Sequence, residues 1–276
     1  MNLVVQAPEL QKAQVDEIAR LAGTARTEAV SGRAYRLRNA VRNDAIRPYC
    51  EQRRIDYAWV PEGRRFEDLK LLAMDMDSTL ITIECIDELG DLAGKKTEIA
   101  AITAQAMRGE IEYRESLRRR VAALAGLAES SLETVYQERL KLTPGADVLL
   151  RTCKDKGVKL LLVSGGFTFF TERLKTRLGI DHTISNVLEV KGGKLTGALV
   201  GEIVDAEAKA AKFRQVMTTL GVGRDQTLAI GDGANDLKMM GEAGISVAFR
   251  AKPVVQAQAT CAINWSGLDA VVNLLE

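Results

Sequence analysis

From Leu69 onward the chain alternates between short apolar runs and stretches with helical spacing. The runs are LKLLAM at 69–74, VKLLLV at 158–163, TLAI at 227–230 and GISVAF at 244–249. Each is short and almost free of polar breaks, the pattern of a strand buried on both faces of a parallel sheet. Between them, helical spacing predicts helices over 146–156, 169–178, 206–220 and 236–243. Strands that alternate with helices imply a parallel sheet joined by right-handed crossovers.

Two segments depart from this rhythm. Residues 85–142 hold no strand-like run, but apolar residues recur at Ile86, Leu89, Leu92 and Ala93. They recur again at Ile99, Ile102 and Met107, then at Leu117, Val121 and Leu124. An all-helical insert is predicted after the first core strand, where an α/β unit ordinarily needs only a short crossover. Such an insert stands above the C-terminal edge of the sheet, where the ligand crevice of open parallel sheets lies. Residues 1–69 read instead as strand, helix, hairpin, helix and short strand, with Gly23 and the Pro61-Glu62-Gly63 turn as stops. The predicted fold class is α/β. A Rossmann-like parallel-sheet core over 70–276 carries a helical cap at about 85–142, and a small N-terminal α+β domain covers 1–69.

Composition narrows the class without naming it. Apolar residues make up 46% and charged residues 27%, ordinary for a globular chain. Thirty-eight basic residues against 37 acidic ones leave a net charge of +1, so no overall field draws nucleic acid or an anionic membrane. No apolar run approaches the ~20 residues needed to cross a bilayer. The opening MNLVVQAPELQKAQVDE lacks a basic stretch followed by a long apolar core. Cys50, Cys85, Cys153 and Cys261 show no paired spacing, which argues against a zinc site or a disulfide framework. A soluble, cytoplasmic protein is expected, with no nucleic-acid or membrane partner. The single histidine, His182, falls in GIDHTIS outside any polar cluster and is expected at the surface or in a turn.

The chemistry sits where the apolar runs end. The first closes on Asp75 and Asp77, the second on Ser164-Gly165-Gly166, the third on Asp232 with Asn235 and Asp236. In a parallel sheet all three ends face one crevice. One aspartate there would be a cap, whereas three polar ends together define a site. Carboxylates gathered at low dielectric repel one another unless a cation intervenes, and hard oxygen donors select Mg²⁺. Magnesium beside anion-binding N–H groups points to phosphoryl transfer, in which an aspartate can attack phosphorus.

These residues carry a resemblance. Asp75-Met-Asp77-Ser-Thr-Leu, Ser164-Gly-Gly, Lys209 and Gly231-Asp232-Gly-Ala-Asn235-Asp236 resemble the four motifs of the haloacid dehalogenase-like phosphatases. DMDSTLITIECIDELG, SLRRRV, SGGFTFFTERL, GKLTG and GDGANDLKMM narrow it to the phosphoserine-hydrolysing branch, over residues 71–276. The resemblance implies hydrolysis of phosphoserine to serine and phosphate through an aspartyl-phosphate, the last step of serine biosynthesis. It makes Asp75 the nucleophile and Asp77 the acid and base. Mg²⁺ falls to the Asp75 side chain, the Asp77 backbone carbonyl and Asp232. Ser164, Gly165 and Lys209 would grip the phosphoryl group, with Gly166 keeping the loop clear and Asn235 contacting substrate or the metal's surroundings. Asp236 is left as a partner of Lys209, a holder of metal water or a helix cap. Glu84 would take the substrate ammonium and Arg120 its carboxylate. Composition does not separate Arg120 from Arg118 and Arg119, and only the alignment selects it. Met107 and Tyr113 fall where they would either close over the substrate or pack the cap. Cys85 reads as a small buried side chain.

Other readings remain beside this one. A phosphatase or phosphotransferase for another small phosphorylated amino acid would share every motif. A slow-turnover phosphoacceptor module would also gather aspartates and a lysine, though it needs neither a cap nor a second aspartate. Effector binding, homodimerisation and stabilisation of the chain are open alternatives for residues 1–69.

Overall fold

The computed structural model describes all 276 residues. The N-terminal unit runs β1 (Asn2–Gln6), α1 (Lys12–Leu21), β2 (Thr27–Ser31), β3 (Ala34–Leu37), α2 (Ile46–Gln52) and β4 (Asp56–Val60). Its strands form one antiparallel sheet in the order β2-β3-β1-β4. Strand alternation explains how this small sheet is held. Leu3, Val5 and Leu37 face α1 and α2, packing with Val15, Ile18, Ile46 and Cys50. Val4, Ala58 and Val60 face the other way and belong to the main core of the protein. Both faces are therefore covered, one by the unit's own helices and one by the body of the protein.

The main body continues with β5 (Leu71–Met74), then the cap helices α3 (Cys85–Leu92), α4 (Lys96–Met107), α5 (Tyr113–Ala122) and α6 (Ser130–Thr134). It returns through α7 (Ala146–Asp155), β6 (Lys159–Phe167), α8 (Thr168–Leu178), β7 (His182–Lys191), β8 (Lys194–Val200) and α9 (Ala206–Leu220). The chain ends with β9 (Thr227–Gly231), α10 (Leu237–Glu242), β10 (Ile245–Phe249), α11 (Pro253–Gln256) and β11 (Cys261–Ile263). Seven strands form the central sheet in the order β11-β10-β9-β5-β6-β7-β8. All neighbours are parallel except β7 and β8.

The unbroken apolar runs follow from burial on two sides. Leu71, Ala73, Leu161, Val163 and Ala229 pack with Phe213 and Val216 of α9 and with Met239 and Met240 of α10. Leu72, Met74, Leu160, Leu162, Leu228 and Ile230 pack on the opposite face with Leu149, Phe170 and Leu174. The site-bearing strand β5 lies between β6 and β9, so the three polar ends are neighbours. The fold class expected from the pattern is the one observed, including the helical insert. Thr82 N–H donates to the Lys141 carbonyl at 3.0 Å, and Ile81 pairs with Leu142, so the two linkers of the cap run side by side.

The hairpin of β7 and β8 corrects the sequence reading. His182 lies in no turn; it opens β7, half-buried, in register with Leu161. The stretch escaped the pattern because one face of an edge hairpin is solvated and its hydrophobic alternation is diluted by polar residues. The short strand β11 was likewise not anticipated.

Buried polar bonds tie the N-terminal unit to the end of the chain. The Asp56 carboxylate accepts the backbone N–H of Asn264 (2.6 Å), Trp265 (3.3 Å) and Ser266 (2.8 Å). The almost fully buried Arg36 donates to the carbonyls of Asn273 (3.0 Å) and Leu275 (2.9 Å). Removing Asp56 leaves several buried N–H groups without an acceptor. Asp56→Ala is expected to cost about 3 kcal/mol of stability, and Asp56→Asn, which keeps one acceptor oxygen, roughly half of that. Denaturant unfolding of the full chain measures both; equal midpoints for wild type and Asp56→Ala would contradict it.

Candidate active site

The site begins with the turn that follows β5. Asp75 N–H donates to the Ile230 carbonyl of β9 at 3.0 Å, which fixes the strand end. The chain then makes one wide turn, with Leu80 N–H reaching the Asp75 carbonyl (3.3 Å) and Ile81 N–H the Met76 carbonyl (3.0 Å). Ser78 stands at φ 56°, in the left-handed region. Its hydroxyl donates to Glu84 Oε1 at 2.7 Å, which ties the turn to the first residue before α3. The wide turn sends the two aspartates to different partners.

Asp75 belongs to an ionic cluster at the sheet's edge. Lys209, fully buried on α9, has its Nζ 3.0 Å from Asp75 Oδ1 and 2.8 Å from Asp236 Oδ1. Asp236 Oδ2 accepts Gly233 N–H at 3.0 Å. Asp236 thus pairs with Lys209, and its side chain does not cap α10. Asp232 accepts the Thr79 hydroxyl at 3.2 Å. Carboxylate oxygens of Asp75, Asp232 and Asp236 all lie within 4.8 Å of one another.

Asp77 points away from this cluster. Its Oδ1 accepts Cys85 N–H at 2.7 Å, and its Oδ2 accepts the Ser164 hydroxyl at 3.2 Å. Its carboxylate therefore joins no metal cluster, and only its backbone carbonyl is left for that part. The Ser164 oxygen in turn accepts Gly166 N–H at 2.8 Å. Asn186 on β7 braces the same loop, donating to the Gly165 carbonyl and accepting Val204 N–H, both at 2.8 Å. The loop runs within two residues into α8, whose N-terminus favours an anion.

The electrostatics follow from burial. Desolvation and the nearby Asp236 charge hold the Asp75 carboxyl well above its usual range, although Lys209 opposes them. Burial also raises Asp77, against the hydrogen bonds it accepts. Asp232 is pushed up to about 6 by burial and by Asp236. Glu84 reaches solvent at the mouth, yet the protein around it and the Asp77 charge raise it to about 8. Burial alone would depress the Lys209 ammonium, but Asp236 and Asp75 outweigh it and hold the group charged.

Three carboxylates facing one ammonium leave an excess of negative charge in a water-poor setting. An ionised Asp75 needs more positive charge than Lys209 supplies, and an all-oxygen donor set of this kind fits a hard divalent cation. The residues present therefore fit a magnesium ion.

The cap supplies the other wall. Arg118 and Arg119 are exposed, whereas Arg120 is half-buried and its Nε is buried with no hydrogen-bond partner. Structure thus separates the three arginines where composition did not. A buried, unpaired guanidinium N–H is costly unless an acceptor arrives. Tyr113 turns towards the core, and a Cβ on Gly165 would lie 2.3 Å from its hydroxyl. A Cβ on Gly166 would lie 2.7 Å from Asp77 Oδ2. Both positions need glycine for close approach. Met107 is 63% exposed and packs in no core, and Asn235 is half-buried beside Gly233 with no side-chain hydrogen bond. Cys85 is buried, as expected. Thr79 and Asn186 were missed. Thr79 lies inside the first motif and was legible there, while Asn186 acts across strands and left no local signal.

The profile of haloacid dehalogenase-like hydrolases matches residues 72–241, and the chain belongs to that family. Residues 3–48 match a domain of unknown function, DUF4072. A phosphoserine phosphatase of Polaromonas sp. is 56% identical over 217 residues, 77% of this chain and 92% of that one. The crystal structure of a probable phosphoserine phosphatase from Vibrio cholerae superposes with a TM-score of 0.87 at 37% identity, covering 99% of this chain and 86% of that one. A phospho-aspartyl intermediate analogue of phosphoserine phosphatase superposes at 0.71 with 36% identity, over 75% of this chain and 99% of that one.

The contact between Tyr113 and Gly165 is open to a compensation test. Gly165→Ala should slow phosphomonoester hydrolysis about ten- to hundred-fold, because the new methyl displaces the cap. Tyr113→Phe removes the clashing oxygen and leaves the ring carbon 3.5 Å from that methyl, so the double variant should recover most of the loss. Steady-state phosphate release checks this, and a double variant no faster than Gly165→Ala would refute the contact.

Proposed function

We propose that the chain is a Mg²⁺-dependent phosphoserine phosphatase that releases serine and phosphate. The observation that carries the reading is the pairing of the buried Asp75–Lys209–Asp236 cluster with an unpartnered Arg120 guanidinium in the cap above it. The similarity to phosphoserine phosphatases of Polaromonas sp. and Vibrio cholerae supports it, as does the likeness to the phospho-aspartyl intermediate analogue.

In this reading an Asp75 oxygen attacks phosphorus while the bond to the serine oxygen breaks. Asp77, held by Cys85 N–H and Ser164, donates its proton to the departing alkoxide. Asp77 then takes a proton from the water that attacks the aspartyl-phosphate and frees Asp75. Lys209, Ser164 and the Gly165 N–H group hold the phosphoryl oxygens, with Asn235 at the rim. A magnesium ion, held by Asp75, the Asp77 carbonyl and Asp232, supplies charge neutralisation at the phosphoryl group. Glu84 receives the substrate ammonium and Arg120 its carboxylate, for which a guanidinium fork is suited.

A division of labour goes with this reading, with 70–276 for catalysis and 1–69 for regulation or homodimerisation. The four unpaired, buried cysteines fit a reducing cytoplasm. No helix is long and apolar enough to cross a membrane. A place at the last step of serine biosynthesis follows from the proposed product.

A substrate panel tests the reading. Phosphate release from phosphoserine should exceed that from sugar phosphates, require Mg²⁺, and vanish in Asp75→Asn. Arg120→Ala should raise KM for phosphoserine about ten- to hundred-fold, the worth of a hydrogen-bonded charge pair, with little change for a phosphate lacking the carboxylate. Equal KM effects on both substrates would remove Arg120 from recognition, and full activity in Asp75→Asn would end the mechanism.

A further inference from the structure

The helix α5 carries Tyr113, which approaches the phosphoryl-binding loop at Gly165, and Arg120, proposed for the substrate carboxylate, seven positions apart and so on one side of the helix. Beyond its C-terminal end the cap is fastened to the β7–β8 hairpin by backbone bonds. Gly126 N–H donates to the Leu195 carbonyl (2.8 Å), Leu195 N–H to the Leu127 carbonyl (2.9 Å) and Glu129 N–H to the Gly193 carbonyl (2.9 Å). The cap linkers are paired near Thr82 and Lys141. These attachments lie away from the N-terminal end of α5, where Tyr113 packs on the main core and approaches Gly165.

One ion pair ties that end to α9. Arg114, next to Tyr113, donates from Nε to Asp205 Oδ2 at 2.7 Å, and its Nη1 lies 3.9 Å from Glu202. Two arginines make the ion pairs between cap and core, Arg114 and Arg173, and Arg173 on α8 meets Glu133 on α6. Asp205 is the N-cap of α9: its Oδ1 accepts Ala208 N–H at 3.0 Å, and its carbonyl accepts Lys209 N–H at 3.0 Å. Both carboxylate oxygens are thus engaged, one starting the helix that carries Lys209 and the other gripping the cap.

We propose that the Arg114–Asp205 pair is the latch of the cap, a positioning contact that biases α5 towards the core so that Tyr113 and Arg120 stand over the phosphoryl-binding loop. The catalytic part of this inference rests on the phosphatase reading, whereas the latch itself is a statement about cap opening. Arg114 is about half exposed, so the pair is a modest bias rather than a lock, which lets substrate enter and product leave.

The test uses the full chain and two independent readouts. Hydrogen exchange without substrate should show the 113–122 segment opening about two- to five-fold more often in Arg114→Ala than in wild type. Arg114→Lys should restore part of the difference, and high salt should narrow it. Asp205→Asn keeps an N-cap of equal quality and should open the cap as Arg114→Ala does. In kinetics, both variants should raise KM for phosphoserine by at most the exchange factor, since affinity follows the closed fraction, while kcat does not fall. Unchanged exchange in both variants would overturn the latch, as would a lower kcat at constant KM. If wild type releases no phosphate from phosphoserine, the phosphatase reading fails, and the exchange measurement alone still decides the latch.

Discussion

A single ammonium group, Lys209 Nζ, sits without solvent contact between Asp75 and Asp236, and the arrangement of the site depends on that fact. A lone buried ammonium would give up its proton, and a lone pair of buried carboxylates would take one up. Here Asp236 and Asp75 hold the ammonium charged, while burial and the Asp236 charge still keep the Asp75 carboxyl well above its usual range, and removing one member leaves an uncompensated charge in the interior. The geometry that brings them together is long-range: Asp75 closes β5, Lys209 lies on the first turns of α9, and Asp236 follows β9. The packing of α9 against the sheet through Phe213 and Val216 is what delivers the ammonium.

The same constraint organises the second aspartate. Because Asp75 is committed to Lys209, Asp77 needs other donors, and the wide turn over 76–80 turns it towards Cys85 N–H and Ser164. Two carboxyls two residues apart thus sit in different company, one beside a cation and one among neutral donors. That difference is what an attacking group and a proton carrier require. Thr79 extends the arrangement, since its hydroxyl reaches Asp232 while its carbonyl accepts the Thr143 hydroxyl at 2.7 Å, next to the cap's return linker.

The cap and the N-terminal unit both attach to this centre through apolar burial, each with its own set of polar bonds. The cap is held by apolar burial, with Ile86, Leu117, Val121 and Leu132 continuous with the main core, by backbone bonds to the β7–β8 hairpin, and by a half-exposed ion pair at its lip. The N-terminal sheet is held by apolar burial of Val4, Ala58 and Val60 and by the Asp56 and Arg36 bonds to the chain's end.

Periodicity and strand-end chemistry were enough to read the parallel sheet, the helical insert, and the gathering of Asp75, Ser164 and Asp232, because two-sided burial and sharp strand ends leave local marks. Position in the chain also sufficed for Lys209 once the motifs were aligned, though as a lone lysine on a helix it carried no signal. Tertiary structure alone decided the rest. It buried the Nε of Arg120, which the alignment had already picked, while leaving Arg118 and Arg119 exposed, set Asp236 against Lys209, and enlisted Asn186 and the edge hairpin to brace the crevice. Those outcomes depend on which distant groups share a dry space, and distance along a chain does not encode distance through it.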